Sequence, residues 1–352
     1  MKSFFKSVLQ QAVAQILVGI VLMGLAFVVL MVIIGKFAVS EVKVPKHSIL
    51  VLNLNTNITD TPSQLGPQDL MLEAMQGMST PSLYLHKVLD NIRTAAVDPR
   101  IRGLFLHGNL ISIDGGSGYP ALREIRNAIQ DFKKTGKPVH AYTLTPNLRT
   151  YCLISSADQV TMNPFGDLTL NGLSSEVPFY GGALEKFGVG VQPVRVGKYK
   201  SAIEPFTRKK FSEEGREQIQ DLLKNRWDSI LGHIRENRDF KPGKLEKILE
   251  NSFYFDPEEA LDADLVDEVA TRQEVVSRLI EIGSKDADTG SFSQISLQDY
   301  AESRIQNSHF GSGGNTIAIV YIEGVIVEGE SFTGYAGSST VNRQLAELKN
   351  RG

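Results

Sequence analysis

Between Ser48 and Met162 the chain follows one order again and again: an apolar run of strand length, then a stretch with helical periodicity. Ser48-Ile-Leu-Val-Leu-Asn-Leu-Asn55 is a short apolar run opening into alternation, the mark of a buried strand. Leu85, Val88, Leu89, Ile92, Ala95 and Ala96 form one helical stripe over Ser82 to Ala96, and Asp98-Pro99 stops it. Ile101 to Leu106 is the next strand. Pro120 suits the start of a helix to about Phe132, and Gly136 closes it. Pro138 to Leu144 reads as strand, Leu148 to Ser156 as helix and Gln159 to Met162 as strand. This order demands an α/β layer fold with mostly parallel strands. Thr56 to Ser79 reads as a long connection. In the turn Ile111 to Gly118, Gly115 and Gly116 either supply φ > 0 or aim backbone N–H groups at a ligand.

Further on, Val189 to Val196 is a β-like run, and Pro205 is expected to keep a helix from starting at once. Ser212-Glu-Glu-Gly begins a long helix to about Asn237, with acids in its first turn. Asp256-Pro-Glu-Glu259 has a carboxylate cap, proline at the first helical position and glutamate at the third. Ser284 to Gly314 is rich in Ser, Asp, Gln and Gly and reads as an interdomain linker with one short helix near Leu297 to Ile305.

The opening strand then returns. In Asn315 to Gly329, Ile317, Ile319, Ile322 and Ile326 fall on Ile49, Val51, Leu54 and Ile58 at one offset of 268. Ser339 to Leu348 resembles the helix at Ser82 to Ile92, with Leu345 and Leu348 opposite Leu89 and Ile92. A strand–helix piece cannot bury its own apolar faces, so a tandem repeat is expected that continues beyond Gly352. The expected organisation is a short leading segment (1–11), a membrane anchor (12–35), a first α/β repeat (36–283), a linker (284–314) and the beginning of a second repeat (315–352).

The anchor follows from Ile16 to Gly35, which is uncharged and almost wholly apolar. Twenty such residues in a helix span roughly 30 Å, the thickness of a bilayer core. Ala38-Val39-Ser40 leaves open the alternative of a cleaved signal peptide. The lysine count does not decide orientation, since Lys2 and Lys6 precede the span while Lys36, Lys43 and Lys46 follow it.

Composition excludes several chemistries. The net charge of −3 argues against nucleic acid as a partner. The single cysteine, Cys152, rules out an internal disulfide and a cysteine-based metal site, and reads as a buried small hydrophobe. The six histidines (His47, His86, His107, His140, His233 and His309) include no pair at metal-ligand spacing, and no cofactor is expected.

One stretch remains: Arg195-Val-Gly-Lys-Tyr-Lys-Ser-Ala-Ile-Glu-Pro-Phe206. As residues alone, Lys198 and Lys200 are two candidates, equally consistent with a solvated rim. Together with the anchor, the tandem α/β repeats and Glu323-Gly-Val-Ile-Val-Glu-Gly329, this stretch resembles the long form of signal peptide peptidase A, peptidase family S49, over roughly residues 12 to 352. The resemblance implies a ClpP/crotonase-like fold and a serine protease with a Ser/Lys dyad. Its substrates would be signal peptides or other extended hydrophobic peptides. The enzyme would be a homo-oligomer in the bacterial inner membrane, with its catalytic domain on the periplasmic side.

The same resemblance makes Lys200 the general base and puts the nucleophilic serine in the second repeat, beyond Gly352. The equivalent place in the first repeat is Leu148 to Cys152, where Arg149, Thr150 and Tyr151 replace the small residues of the family's pattern. A lysine serves as base only when its amine is neutral; bringing one from about 10.4 to near 7 costs about 4.6 kcal/mol. Desolvation by Val194, Val196, Ala202, Ile203 and Phe206 is the expected source of that energy. Tyr199 and Ser201 flank the amine, and Ser201 is a candidate for holding it by a hydrogen bond. Two other classes compatible with the sequence are a CoA-ester enzyme using the Gly115-Gly116 turn for an oxyanion, and a non-catalytic anchored scaffold.

Overall fold

The computed structural model describes residues 42–61, 82–110, 118–307, 318–332 and 334–349, with Gln15, Gly19, Leu22–Leu25 and Phe27 before them. Internal contacts divide the chain into a small unit, residues 1–43 with 302–310, and a large unit, 44–301 with 311–352. In the small unit the described positions from 15 to 27 are helical. The anchor expected over 12–35 otherwise lies outside the described residues, and among those described no helix is long and apolar enough to cross a membrane.

In the large unit the elements run β1 (Ser48–Asn53), β2 (Asn57–Thr59), β3 (Ser82–Tyr84), α1 (Leu85–Val97), β4 (Ile101–His107), α2 (Tyr119–Lys133), β5 (Val139–Thr143), α3 (Leu148–Ile154), β6 (Gln159–Met162) and β7 (Leu168–Thr169). Then follow α4 (Gly181–Lys186), α5 (Glu204–Thr207), α6 (Glu213–Asn237), α7 (Lys244–Asn251), β8 (Tyr254–Phe255), α8 (Pro257–Asp262), β9 (Glu268–Val269) and α9 (Arg272–Ile282). The last are β10 (Gln294–Ser296), α10 (Leu297–Asn307, which ends in the small unit), β11 (Val325–Val327), β12 (Tyr335–Gly337) and α11 (Ser338–Lys349).

Among the described residues the main sheet has six strands in the order β10-β1-β4-β5-β6-β9, and every neighbouring pair is parallel. A parallel sheet needs both faces covered, which is why β1 reads as a continuous apolar run. Ile49 and Val51 on one face join Phe105, Tyr142, Val275, Leu279 and Phe292 in one buried cluster. The alternate residues Leu50 and Leu52 are fully buried on the other face. Each such side chain contributes roughly 1.5–3 kcal/mol.

Several expectations are corrected by partners distant in sequence. The connection after β1 contains β2, which pairs with β3 in front of α1. Residues 284–307, read as part of a linker, supply the edge strand β10 and helix α10, because Ile49–Val51 offer β1 an open edge to pair. Val189 to Val196 is not a strand: among the described residues it has no strand partner, and Val194 and Val196 stand in solvent. Pro205 does not delay a helix either. It occupies the first turn of α5, where its missing N–H costs nothing.

A strand–strand–helix order like that of β2, β3 and α1 recurs late in the chain, with a boundary other than the expected one. β11 lies 268 residues after β2 (Asn57 to Val325), pairs in parallel with β12 and leads into α11, as β2 and β3 lead into α1. From Ser82 to Tyr335 the spacing is 253, so Leu345 lies opposite Ile92 rather than Leu89, a shift of about one helical turn. Residues 318–323 are not strand, because the neighbours that β1 finds in β4 and β10 have no counterpart beside them among the described residues.

Asp98 caps α1 and ties the sheet's edge together. It accepts from the Arg100 backbone N–H (2.9 Å) and guanidinium (Nη2, 2.7 Å), and from the buried Tyr300 hydroxyl (2.9 Å). Burial alone would raise this carboxyl; the Arg100 and Tyr300 hydrogen bonds override it and lower its pKa from 3.8 to about 2. A depressed carboxylate stabilises the fold fully above its unfolded value, and that contribution is lost as pH falls through its folded value. Asp98→Asn is therefore expected to lower the urea midpoint near pH 7, with the gap to the wild type closing between about pH 4 and 2. A gap that stays constant down to pH 2 would assign the loss to packing instead of charge.

Candidate active site

Lys200 sits at the end of an extended, exposed segment, on the threshold of helix. After Gly197 (φ +98°) the chain turns through Lys198 and Tyr199, and Lys200 (φ −85°, ψ 67°) leads into a 3-10 turn over Ser201–Ile203 and then α5. The segment is fastened to the amino-terminal part of α6. Tyr199 Oη donates to Glu217 (3.0 Å) and Ser201 Oγ donates to Gln218 (3.0 Å), so both neighbours of Lys200 are tied to consecutive residues of one helix. Ser201 therefore does not hold the amine: its hydroxyl is spent on α6. Among the described residues the Lys200 amine has neither a hydrogen bond nor an ion pair, and the side chain is exposed.

The expected apolar pocket is absent from this arrangement. Val194 is 102% exposed and Val196 90%, while Phe206 is 46% exposed and stacks on Tyr180 at 6.0 Å. With no strand beside 189–196 among the described residues, Val194 and Val196 stay in solvent. Lys198 is exposed as well, so burial does not separate the two lysines; the flanking ties do.

The buried group of this region is Glu204, 1% exposed, which the sequence reading quoted without assigning it a role. Its Oε2 accepts from Ser212 N–H (3.0 Å) and its Oε1 from Ser212 Oγ–H (2.5 Å), at the start of α6, where the helix macrodipole favours negative charge. Arg195 Nη1 stands 3.8 Å from Oε1 and donates to the Lys200 carbonyl at 2.8 Å. Burial raises the Glu204 carboxyl, but the Ser212 hydrogen bonds, with Arg208 and Arg195 nearby, leave its pKa below the usual carboxylate range. A lone glutamate set between apolar Ala202-Ile203 and Pro205-Phe206 is the sequence signal that could have found it.

Ser212 Oγ also caps α6 by accepting from Gly215 N–H (3.0 Å). A Cβ at Gly215 would stand 2.8 Å from Glu204 Oε2 and 3.1 Å from Ser212 Oγ. Helix α6 buries Ile230, Leu231 and Ile234 toward its far end, and Gly215 at its start. Gln218 thus stands about 18 Å along the axis from Ile230. Lys200 is held out on an arm.

Leu148 to Cys152, the place that the resemblance sets opposite the nucleophile, is filled. Asn147 caps α3 by accepting from Thr150 N–H (2.9 Å), and Leu148 is 5% exposed. The fully buried Thr150 uses Oγ1 to accept from Leu110 N–H (3.1 Å), and Asn55 Oδ1 takes Asn109 N–H (2.9 Å). The amides at the end of β4 and the start of α3 are therefore taken by the protein's own side chains. Burial pushes the Cys152 thiol up to about 11, so it is no nucleophile. Tyr151 donates to the Leu265 carbonyl at 2.6 Å. Residues 111–117, with the Gly115-Gly116 turn, lie outside the described residues. Among the described residues no cluster of His, Cys, Asp and Glu is placed to hold a metal.

The peptidase family S49 model matches residues 131–285, which take in α3, the Lys200 segment and α6. Protease 4 of Haemophilus influenzae is 33% identical over 336 residues, 91% of this chain and 53% of that protein. The chain belongs to peptidase family S49. Among its S49 relatives, Protease 4 of Salmonella typhi is 28% identical over 310 residues, 85% of this chain and 49% of its own length. The chloroplastic serine protease SPPA of Arabidopsis thaliana is 29% identical over 311 residues, 88% of this chain and 43% of that protein. The chain spans about half the length of the curated relatives it matches. A solved structure described as a membrane-bound stomatin-specific protease aligns with 66% of this chain and 84% of its own at 11% identity and a TM-score of 0.37.

In this S49 chain the contact between Gly215 and Glu204 has a direct consequence. Gly215→Ala is expected to destabilise the start of α6 by about 1–3 kcal/mol, because backbone and a hydrogen-bonded buried carboxylate must give way. Hydrogen exchange at the amides of residues 212–218 checks this: faster exchange there with residues 230–237 unchanged is the expected pattern, and uniform exchange rates would refute the tight contact.

Proposed function

We propose that this chain contributes the general base, Lys200, to a membrane-anchored serine endopeptidase of ClpP/crotonase-like fold. The single observation that carries this reading is local. The residues on both sides of Lys200 are tied to α6, while its amine has no hydrogen bond or ion pair among the described residues. A side chain serving only as a solvated rim has no need of such fastening.

The nucleophile in this reading is a serine of the second repeat, whose opening is residues 315–352. The filled amides around Leu110 and Thr150 support assigning no chemistry to the first repeat's own counterpart. A second element closing over Lys200, Val194 and Val196 would provide the desolvation that lowers the cost of a neutral amine. Substrates are extended hydrophobic peptides, released signal peptides among them, bound by strand addition with pockets for apolar side chains. The exposed valines of the Lys200 segment suit that mode. The anchor at 12–35 would keep the site near membrane-derived peptides, on the periplasmic side, in a homo-oligomer.

In the full-length protein, Lys200→Ala is expected to lower kcat/KM toward an apolar peptide by about 10²–10⁴-fold, the usual worth of a general base. Lys198→Ala should leave it nearly unchanged. Steady-state cleavage of a quenched fluorescent peptide measures both, and full activity in Lys200→Ala would remove the dyad.

A further inference from the structure

We propose that Arg195 and Glu204 are positioning residues for Lys200: the buried carboxylate holds the guanidinium, and the guanidinium grips the Lys200 carbonyl, fixing where the base stands. This rests on the reading of Lys200 as the base.

The need for such a device is visible in the backbone. Lys200 has the dihedrals of an inverse γ-turn, at the junction of an extended segment and a helical turn. Lys200 is the N-cap of the 3-10 turn, so its carbonyl opens the helical pattern. Arg195 Nη1 also donates to that carbonyl, at 2.8 Å. The ties of Tyr199 and Ser201 run through their side chains, whereas the Arg195 bond reaches the backbone of Lys200 itself. Among the described residues, 190–196 enters no sheet, so the Arg195 side chain is what joins this segment to the base of α6.

Glu204 gives that contact its strength. An exposed ion pair is worth little, but this carboxylate is buried and already oriented by both Ser212 hydrogen bonds. Ser212 is in turn the cap of α6, and the space for the carboxylate exists because residue 215 is glycine. One guanidinium nitrogen, Nη1, therefore faces both groups: an ion-pair contact to the fixed carboxylate at 3.8 Å and a hydrogen bond to the Lys200 carbonyl at 2.8 Å.

The test uses the full-length protein. Arg195→Ala is expected to lower kcat about 10–100-fold with KM little changed, since displacing a catalytic group by an ångström costs on that order. Added guanidinium ion should restore much of the loss, and methylammonium should not. Glu204→Gln keeps acceptor and donor atoms toward Ser212 but removes the charge; it should lower kcat to a smaller extent and resist rescue.

A readout independent of activity is the rate of tryptic cleavage at Lys200-Ser201, expected to rise in Arg195→Ala while cleavage after Lys209 is unchanged. Lys200→Ala, measured alongside, separates the two ideas. Full activity in that variant overturns the base. A required Lys200, with wild-type kcat and wild-type nicking in Arg195→Ala, overturns the clamp. A lowered kcat in Arg195→Ala without guanidinium rescue and without faster nicking also overturns it, as a general folding defect.

Discussion

The candidate site depends on how the last turns of one helix are held. Asn237, at the end of α6, accepts from Arg126 Nε (2.7 Å) and donates to Ser155 Oγ (2.9 Å), joining the helix to α2 and to the end of α3. Arg126 is itself buried and pairs with Glu236, and Arg238 makes paired bonds to Asp267, whose Oδ2 also accepts from Val160 N–H in the sheet. With Ile230, Leu231 and Ile234 beneath, this end of α6 is part of the body. The rest of the helix runs out from it as a strut. A strut of hydrogen-bonded turns carries position over its length, which is how Lys200, tied through Tyr199 and Ser201 to Glu217 and Gln218, is given a place.

The two functional regions of the first repeat contrast in their chemistry. At the end of β4 and the start of α3, the Leu110, Thr150 and Asn109 N–H groups meet internal acceptors: Thr150 Oγ1, Asn147 Oδ1 and Asn55 Oδ1. Buried polar groups satisfied in this way stabilise and do not react. Around Lys200 the neighbours are satisfied, and the amine itself has no hydrogen bond or ion pair among the described residues. The first arrangement is a structural joint; the second leaves a charged side chain open to solvent.

Much of the fold was legible because it is written in local periodicity. The alternation of β1 with its flanking helices, the stop at Asp98-Pro99, the left-handed Gly136, the Ser212 cap and the Asp256 capping box all appear where short-range chemistry puts them. The offset of 268 between Asn57 and Val325 was legible as well, since it compares the sequence only with itself. The register of α11 was not. Leu345 matches Leu89 and Ile92 equally well on a helical face, and the β12–α11 junction decides between them.

What the sequence determined by itself is thus which residues form strands and helices in the parallel layer, and that the stretch around Lys200 resembles a family motif. Tertiary structure alone decided that β10 borders β1, that Val189 to Val196 stands free, that Thr150 closes the first repeat's amides, and that Glu204 is buried behind Lys200. The physical reason is range. A face is encoded every two or every three to four residues, whereas what lies against that face comes from residues tens or hundreds of positions away. Val51 meets Ser296 in β10, and Asp98 meets Tyr300, only once the chain has folded.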